Sequence, residues 1–304
     1  MMVTIRINKS NIKAFWELDP YERLDMLALP GAFALGMVDE QEEEDVPAAL
    51  MICTREKDRL VIDWMYTLPE YRGQGCASSL MILAFEEALG RGLTEVAARI
   101  SSEYEDNGAD WDSEGFFVND VFSFVEEGES VFRSNVKQLE KRLKEDEKKN
   151  ELSSGLKELV SIGDLSDSDL DVYAEKLEKQ YGLNFVYPVR DMLMASDKAV
   201  SVLRVEKGEC NGAFLVMKSG RTWYTLGLIP MNYEDAEELI RAVLHRFQDS
   251  LMAGDLVEVM LRSSAAGKVL EQMKLEGDTY EVCYYTASVD SFRKRKEEME
   301  DYEG

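Results

Sequence analysis

The chain has 304 residues, and at the usual length of about 150 residues per domain this predicts two domains. Its 45% apolar and 31% charged residues are typical of a globular protein, and no stretch reaches the roughly 18 unbroken apolar residues of a membrane helix. A net charge of −25 argues against nucleic-acid binding, because phosphates repel an acidic surface, and favours cationic small molecules or basic protein segments as partners.

Cysteine and histidine usage excludes several further classes of protein. The 4 cysteines are scattered without a Cys-x-x-Cys pair, so the sequence predicts neither a disulfide framework nor a metal site. The single histidine, His245, lies in a helical pattern away from any Cys or carboxylate cluster. The amino-terminal segment lacks an apolar region followed by a small-residue cleavage site, so we expect a cytoplasmic protein.

The first half of the chain predicts an alternation of strands and helices. In chain order these are a strand over 3–8, a helix over 11–27, strands over 32–38, 48–54 and 59–67, a helix from 77, a strand over 95–100 and a β-rich run over 116–125. In the helix from Ala77, apolar residues recur at i, i+3, i+4 and i+7 and predict one buried stripe. The contiguous carboxylates of 39–45 predict a solvated loop, because hard-metal sites need spaced ligands.

The second half repeats this plan. Its predicted elements are a helix over 168–181, strands over 200–205, 213–217 and 222–229, a helix after Pro230, and strands over 256–261 and 279–287. A tryptophan, a proline, a helix and a strand follow one another in both halves, about 160 residues apart, which predicts two copies of one fold. The predicted domain order is a first domain over 1–135, a charged helical linker over 136–151, a second domain over 152–290 and a charged tail over 291–304.

The clearest chemical signal lies between Thr67 and Ala77. Here a strand ends, the backbone turns through glycines, and a helix begins with its first amides free, which predicts an anion site at the positive end of the helix dipole. Arg72 can add a charge-assisted contact. An ordinary strand-to-helix turn is the alternative. A nicotinamide site is disfavoured because the G-x-G-x-x-G pattern is incomplete.

This turn resembles the Arg/Gln-x-x-Gly-x-Gly/Ala motif of the GNAT acetyltransferases, which Arg72, Gly75 and Ala77 match. Pro69 and the order of the surrounding strands and helices are also similar to that family. The resemblance covers about residues 45–125. It implies an α/β fold with mixed sheets, made of two tandem GNAT-like acyl-CoA N-acyltransferase domains.

The second copy is expected to be degenerate. The segment after Pro230 has neither glycine nor arginine, and it carries carboxylates at the helix end that would hold phosphate. Because like charges repel, we expect a structural or substrate-shaping role for this half.

The resemblance implies acetyl-CoA as the co-substrate, with its pyrophosphate on the turn amides and no metal. The residues that it assigns to acetyl-CoA are Met65, Tyr66, Thr67, Arg72, Gly73, Gln74, Gly75, Cys76, Ala77 and Ser78. In that family a bulge in the fourth strand leaves backbone N–H groups for the thioester carbonyl, and the matching positions here are 65–67. Such donors stabilise an oxyanion, and the acetyl group would pass directly to a primary amine, expected on a cationic small molecule, in a ternary complex.

Two alignments are open for the general acid that protonates the leaving thiolate. In many GNAT enzymes this is a Tyr in a Y-E-x-x-G-F segment. Alignment on Gly115-Phe116 places Trp111 at that position, and an indole is not a useful acid. Alignment on 104–108 recovers Tyr104 but leaves a short connection after the strand. Tyr66 is a further candidate, with a packed aromatic as its alternative.

The candidate bases are Asp63 and Glu103, expected at strand ends that face the cleft, where a carboxylate could instead bind a cationic amine. Two rival functions stay open beside acetyl transfer. One is a non-catalytic acyl-CoA-binding or sensor protein, suggested by Trp111 at the acid position. The other is a partner-binding module in which the acidic second half recruits a basic ligand.

Overall fold

The computed structural model forms two compact units, Met1–Gly128 with Glu281–Gly304, and Glu129–Tyr280. The residues that it describes are 1–20, 22–29, 31–41, 45–101, 117, 122, 124–135, 138, 141, 159–181, 188–230, 233–247, 250, 252, 254–260, 267–268, 270–271 and 275–294. Among these residues, none of the helices combines the length and the hydropathy needed to cross a membrane.

Most described strands and helices follow the predicted order, but the strand Leu159–Ser161 and the helix Val189–Ala195 were not predicted, and the strand expected over 116–125 runs over Phe124–Asn135 instead. The strands are β1 Met2–Ile7, β2 Phe33–Asp39, β3 Val46–Glu56, β4 Arg59–Thr67, β5 Glu95–Ser101, β6 Phe124–Asn135, β7 Leu159–Ser161, β8 Val202–Glu206, β9 Glu209–Ser219, β10 Thr222–Ile229, β11 Leu256–Met260 and β12 Asp278–Ser288. The α-helices are α1 Cys76–Gly90, α2 Asp167–Tyr181, α3 Val189–Ala195 and α4 Tyr233–Phe247. Short 3-10 helices lie at Ile12–Leu18, Arg23–Ala28, Pro69–Tyr71 and Ile162–Asp164.

The two units contain mixed sheets of the same topology. The first has the strand order β1-β2-β3-β4-β5-β12, and the second has the order β7-β8-β9-β10-β11-β6. In each sheet the fourth and fifth strands are parallel and the other neighbours are antiparallel. The predicted α/β fold with two copies of one plan is therefore confirmed.

One long helix covers a face of each sheet, and its predicted apolar stripe is its buried side. In α1 the buried stripe consists of Leu80, Met81, Ala84, Phe85 and Ala88. In α4 it consists of Ala236, Leu239, Ile240, Val243, Leu244 and Phe247. Burial of each large apolar side chain contributes about 2 kcal/mol, so these stripes hold the helices on their sheets.

The predicted helix over 11–27 is instead two short 3-10 helices. Pro20 restricts the backbone of the preceding residue to extended conformations, which prevents a continuous α-helix. The carboxylate of Asp19 then accepts the backbone N–H groups of Arg23 at 2.8 Å and Leu24 at 2.6 Å, which starts the second 3-10 helix. These helices cover the face of the first sheet opposite α1.

The last strand of each sheet comes from a part of the chain that the sequence assigned to the other domain. Residues Val282–Ser288 of β12 pair with β5 of the first unit, although the predicted second domain runs to residue 290. Residues Val131–Asn135 of β6 pair with β11 of the second unit, although the predicted first domain runs to residue 135. Periodicity indicates that a segment is a strand, but its partner is set by tertiary pairing.

The carboxyl-terminal strand predicts an effect of truncation on the first unit. Removal of residues 281–304 takes the partner strand from β5 and removes Tyr285, Ala287 and Val289 from the core that packs on α1. We expect the amides of β5 to lose at least about 100-fold of their hydrogen-exchange protection. Removal of residues 295–304 alone is the control and should leave that protection unchanged. Equal protection in both truncated proteins would contradict the assignment of β12 to this core.

Candidate active site

The parallel strands β4 and β5 pair over only part of their length. Their register runs from Arg59↔Glu95 to Ile62↔Ala98, yet β4 continues to Thr67 and β5 to Ser101. Beyond the last pair both strands continue without pairing to each other, and we call the region between these unpaired ends the wedge; its sides are backbone edges with N–H and C=O groups. Such a wedge can take an extended ligand that carries amides of its own.

A β-bulge lies where the wedge begins. Cys53 pairs with Ile62 and Ile52 pairs with Trp64, so Asp63 is an extra residue on β4. A bulge bends its strand and increases the local twist, so β4 changes direction at the point where its pairing with β5 ends. The family resemblance implied a bulge at 65–67, and these residues instead form the segment directly after it.

The turn after β4 is open to solvent at its glycines. Gly73 has φ of 74° and Gly75 has φ of 80°, in the left-handed region that favours glycine. A Cβ at either position would meet nothing within 4 Å. Gly75 is the N-cap of α1, which has no side-chain cap. The amides of Cys76, Ala77 and Ser78 lie in the first turn of α1, where a helix offers its N–H groups no acceptor of its own, so they can receive an anion.

Side chains of the turn hold it against the end of β4. Arg72 is exposed, and its Nε donates a hydrogen bond to the carbonyl oxygen of Thr67 at 3.2 Å. Gln74 Nε2 donates to the carbonyl oxygen of Glu70 at 2.9 Å. Cys76 is buried, and burial raises the pKa of its thiol. Arg72 and Gln74 therefore fix the shape of the turn, whereas Cys76 is an inert packing residue.

The strand residues after the bulge border the wedge with their backbone. The Met65 side chain packs in the core beneath α1, and Thr67 is buried. Tyr66 is half-buried on the opposite face, where its ring stacks on Trp64 with centroids 6.2 Å apart. The Arg72 guanidinium carbon lies 5.8 Å from the centroid of the Tyr66 ring. Because strand side chains stand perpendicular to the sheet, the wedge itself is bordered by peptide groups.

The Asp63 carboxylate is buried at the bulge, with 4% of its side chain exposed. Its Oδ2 accepts a hydrogen bond from Thr54 Oγ1 at 2.6 Å, and its Oδ1 lies 3.8 Å from Arg99 Nη1. Burial raises the pKa of Asp63 to about 6, although Arg99 and Thr54 both act to lower it. A carboxyl group with this pKa can accept a proton near neutral pH.

Two predicted catalytic residues, Tyr104 and Glu103, lie outside the described residues, as does Trp111. Their proposed roles stay predictions. The sequence analysis did not predict that Thr54 and Arg99 contact Asp63. Arg99 carries one signal, a cation within a largely apolar strand, whereas a threonine on a strand gives no signal of its own.

The second unit contains the same wedge. Strands β10 and β11 pair from Thr222↔Leu256 to Tyr224↔Glu258, while β10 continues to Ile229. A register shift between Thr225 and Gly227 makes Leu226 the extra residue of a bulge. The repeated fold therefore includes the local distortion that opens the sheet.

The helix start of the second unit differs in charge. Near the beginning of α4, Asp235 and Glu238 form ion pairs with Arg204 Nη1, the latter at 2.8 Å. The carboxylates occupy the region where the first unit presents glycines and free amides. Because like charges repel, this arrangement disfavours phosphate binding at α4.

Comparison with protein families identifies the first unit. Residues 7–109 match the model of the Acetyltransferase (GNAT) family. This span contains β4, the glycine turn, α1 and β5. A comparison with curated proteins gave no significant match.

Solved structures share the fold over nearly the whole chain. A GCN5-related N-acetyltransferase from Sphaerobacter thermophilus is 12% identical, with 95% of this chain and 96% of that chain covered and a TM-score of 0.59. A tandem GNAT protein from the clavulanic acid biosynthesis pathway is also 12% identical, with 95% and 99% covered and a TM-score of 0.59. At this identity the likeness is one of fold, and it confirms the predicted tandem GNAT-like architecture.

The raised pKa of Asp63 predicts a pH-dependent stability. Between the usual pKa of 3.8 and the folded-state pKa of about 6, the folded protein holds a proton that the unfolded chain releases. This contribution is complete below pH 4 and is lost as the pH rises through 6. Relative to Asp63→Asn, the free energy of unfolding of the wild type should fall by about 2 kcal/mol from pH 4 to pH 7. Denaturant titrations of both proteins from pH 4 to 7 measure this difference, and a flat difference would contradict the assignment.

Proposed function

Because residues 7–109 form a domain of the GNAT acetyltransferase family, we propose that this chain transfers an acetyl group from acetyl-CoA to a primary amine. The observation that carries the proposal is the combination, in one unit, of the wedge between β4 and β5 with the open glycine turn after β4. The wedge suits an extended acyl-carrying arm, and the turn suits the phosphates attached to it. The second unit has the wedge without such a turn, which supports one site per chain.

The glycine turn fits a pyrophosphate in charge and in shape. Positive φ at Gly73 and Gly75 and the open space around them let a phosphate approach the backbone closely. The amides of 73–78 would then donate to phosphate oxygens at the positive end of the α1 dipole. Arg72, which lies exposed beside the turn, would add a charge-assisted contact.

In the proposed reaction acetyl-CoA supplies the thioester carbonyl that the amine attacks. The backbone N–H groups within 65–67 that face away from β3 would stabilise the negative charge that develops on the carbonyl oxygen. These donors are preorganised, because β4 pairs with β3 through Thr67↔Ala49 at its end. A direct transfer in a ternary complex needs no side-chain nucleophile, and the buried Cys76 thiol with its raised pKa is unsuited to be one.

Asp63 is our candidate for the base that takes the proton of the attacking amine. It lies at the bulge where the wedge opens, and a pKa of about 6 leaves it mostly ionised at neutral pH. It would accept the proton directly or through one water. The roles of Tyr104 or Tyr66 as the acid and of Glu103 as a second carboxylate stay predictions.

We propose a cationic small molecule in the cytoplasm as the acceptor. The net charge of −25 creates a field that attracts cations and raises their encounter rate with the protein. The same field disfavours extended polyanions such as nucleic acids, so a cationic amine acceptor is consistent with the overall charge. The amine itself must lose its proton before attack, which is the step assigned to Asp63.

Two substitutions of equal size at Gly75 test the anion site. Both Gly75→Glu and Gly75→Gln place a side chain at φ of 80°, but only the first adds a negative charge. We expect micromolar acetyl-CoA binding with one site per chain in the wild type. Gly75→Gln should bind about tenfold more weakly, and Gly75→Glu should lose about a further 100-fold. Calorimetric titration measures all three affinities.

The outcome of this titration separates the rival functions. Equal affinities of the Gln and Glu variants would show that no phosphate lies at Gly75, and absence of wild-type binding would overturn the proposed co-substrate. Release of free thiol in the presence of an amine, screened over a panel of amines, distinguishes an acetyltransferase from a non-catalytic acyl-CoA-binding protein.

A further inference from the structure

The Asp63 carboxylate is held by side chains from both neighbouring strands at the point where the wedge opens. Thr54 comes from β3 and donates to Oδ2 at 2.6 Å, and Arg99 comes from β5 and lies 3.8 Å from Oδ1. Ile62↔Ala98 is the last pair between β4 and β5, so Asp63 and Arg99 are the first residues beyond it on their strands. The carboxylate thus links the strands just after their backbone pairing ends.

Burial makes these contacts strong and directional. Thr54 is fully buried, and the side chains of Asp63 and Arg99 are 4% and 17% exposed. The distance of 2.6 Å between Thr54 Oγ1 and Asp63 Oδ2 is typical of a hydroxyl that donates to an ionised carboxylate. In a site that excludes water, such a bond fixes the orientation of the carboxylate and favours its charged form.

We propose that Thr54 and Arg99 are positioning residues for acyl transfer, which hold the Asp63 carboxylate ionised and oriented at the opening of the wedge. The inference rests on the proposed function, in which Asp63 accepts the amine proton. Neither residue needs to touch the substrate, because each acts through Asp63. The sequence analysis identified Asp63 as a candidate base but not Thr54 and Arg99, which orient its carboxylate.

Other charged and buried groups around Asp63 also affect its pKa. Glu56 on β3 raises the pKa of Asp63, and Arg23 on a 3-10 helix lowers it. Glu56 is ion-paired with Arg59 at 2.8 Å. The buried thiol of Cys53 also lies within the electrostatic influence of Asp63, which raises the pKa of that thiol beyond the effect of burial. Burial is the largest influence on Asp63, and Arg99 and Thr54 counter it.

Removal of the Thr54 hydroxyl should therefore shift the pH dependence of kcat/KM on its acid side. Without this donor the ionised form of Asp63 is less favoured, so the pKa rises and the acid limb of kcat/KM moves to higher pH. Activity is then lost at low pH and regained at high pH. A role confined to packing would lower activity by the same factor at every pH.

The experiment compares Thr54→Val with Thr54→Ser, which keeps the hydroxyl. Arg99→Gln is a second variant that should act in the same direction. Thr225→Val is the control, because Thr225 is a buried threonine on β10, the counterpart of β4 in the second unit, and its hydroxyl donates to a backbone carbonyl, that of Glu258, at 2.9 Å. Two quantities are measured: kcat/KM against pH with acetyl-CoA and the amine found by the screen, and the Asp63 pKa by carbon-13 NMR of the aspartate carboxyls, assigned with Asp63→Asn.

We expect Thr54→Val to raise both the Asp63 pKa and the acid limb by about one pH unit. This corresponds to a loss of kcat/KM of about fivefold at pH 6 that is nearly regained at pH 8. Thr54→Ser should restore the wild-type limb, and Thr225→Val should leave the limb in place even if it lowers the unfolding temperature.

An NMR pKa that stays unchanged in both Thr54→Val and Arg99→Gln would overturn the inference, as would a fall in activity by one factor at every pH. The NMR titration needs no turnover, so failure of the proposed function is seen separately. If Asp63→Asn retained full kcat/KM, Asp63 would not be the base and the positioning roles would fall with it. Acetyl-CoA binding and acetyl transfer would still stand in that case.

Discussion

The end of hydrogen bonding between β4 and β5 is the constraint on which the first unit depends. Paired strands lie about 4.8 Å apart, which leaves no room for a ligand between them. The Asp63 bulge follows the last pair, Ile62↔Ala98, and bends β4 where this pairing ends. Packing of Leu60, Ile62 and Met65 beneath α1 keeps the bent strand in place. The ends of β4 and β5 therefore lack pairing with each other, and their two backbone edges can bind a ligand.

The two copies show which part of this arrangement belongs to the fold and which part belongs to the site. Both units have a bulge after the paired segment, at Asp63 and at Leu226. Their helix starts differ, since the first has glycines in the left-handed region and the second has carboxylates paired with Arg204. Exposed charges are screened beyond about 8 Å at physiological salt. Local amides and Arg72 can therefore favour an anion although the whole chain is acidic.

Most elements were predictable because their apolar residues recur with a clear period. The stripe of α1 and the alternation along β4 indicate buried faces whatever the partner is. The glycine turn was also predictable, because Arg72, Gly75 and Ala77 stand at the spacing of a short sequence motif. Several segments were not, among them the helix α3, Val189–Ala195, for which the sequence analysis predicted no element. The region over 11–27 has a helical pattern, but Pro20 and the Asp19 contacts break it into 3-10 helices. The short strand β7 has only Leu159–Ser161 to indicate it.

The sequence by itself indicated the α/β class, the two copies, the resemblance of the first half to the GNAT acetyltransferases and the position of the glycine turn. These depend on local periodicity and on neighbouring residues, which a linear pattern contains. Only the tertiary structure decided that β12 completes the first sheet, that β6 completes the second, and that Thr54 and Arg99 meet Asp63. All of these features depend on strand register and side-chain burial, which bring together residues far apart in the chain. The pKa of Asp63 likewise follows from burial rather than from its neighbours in sequence.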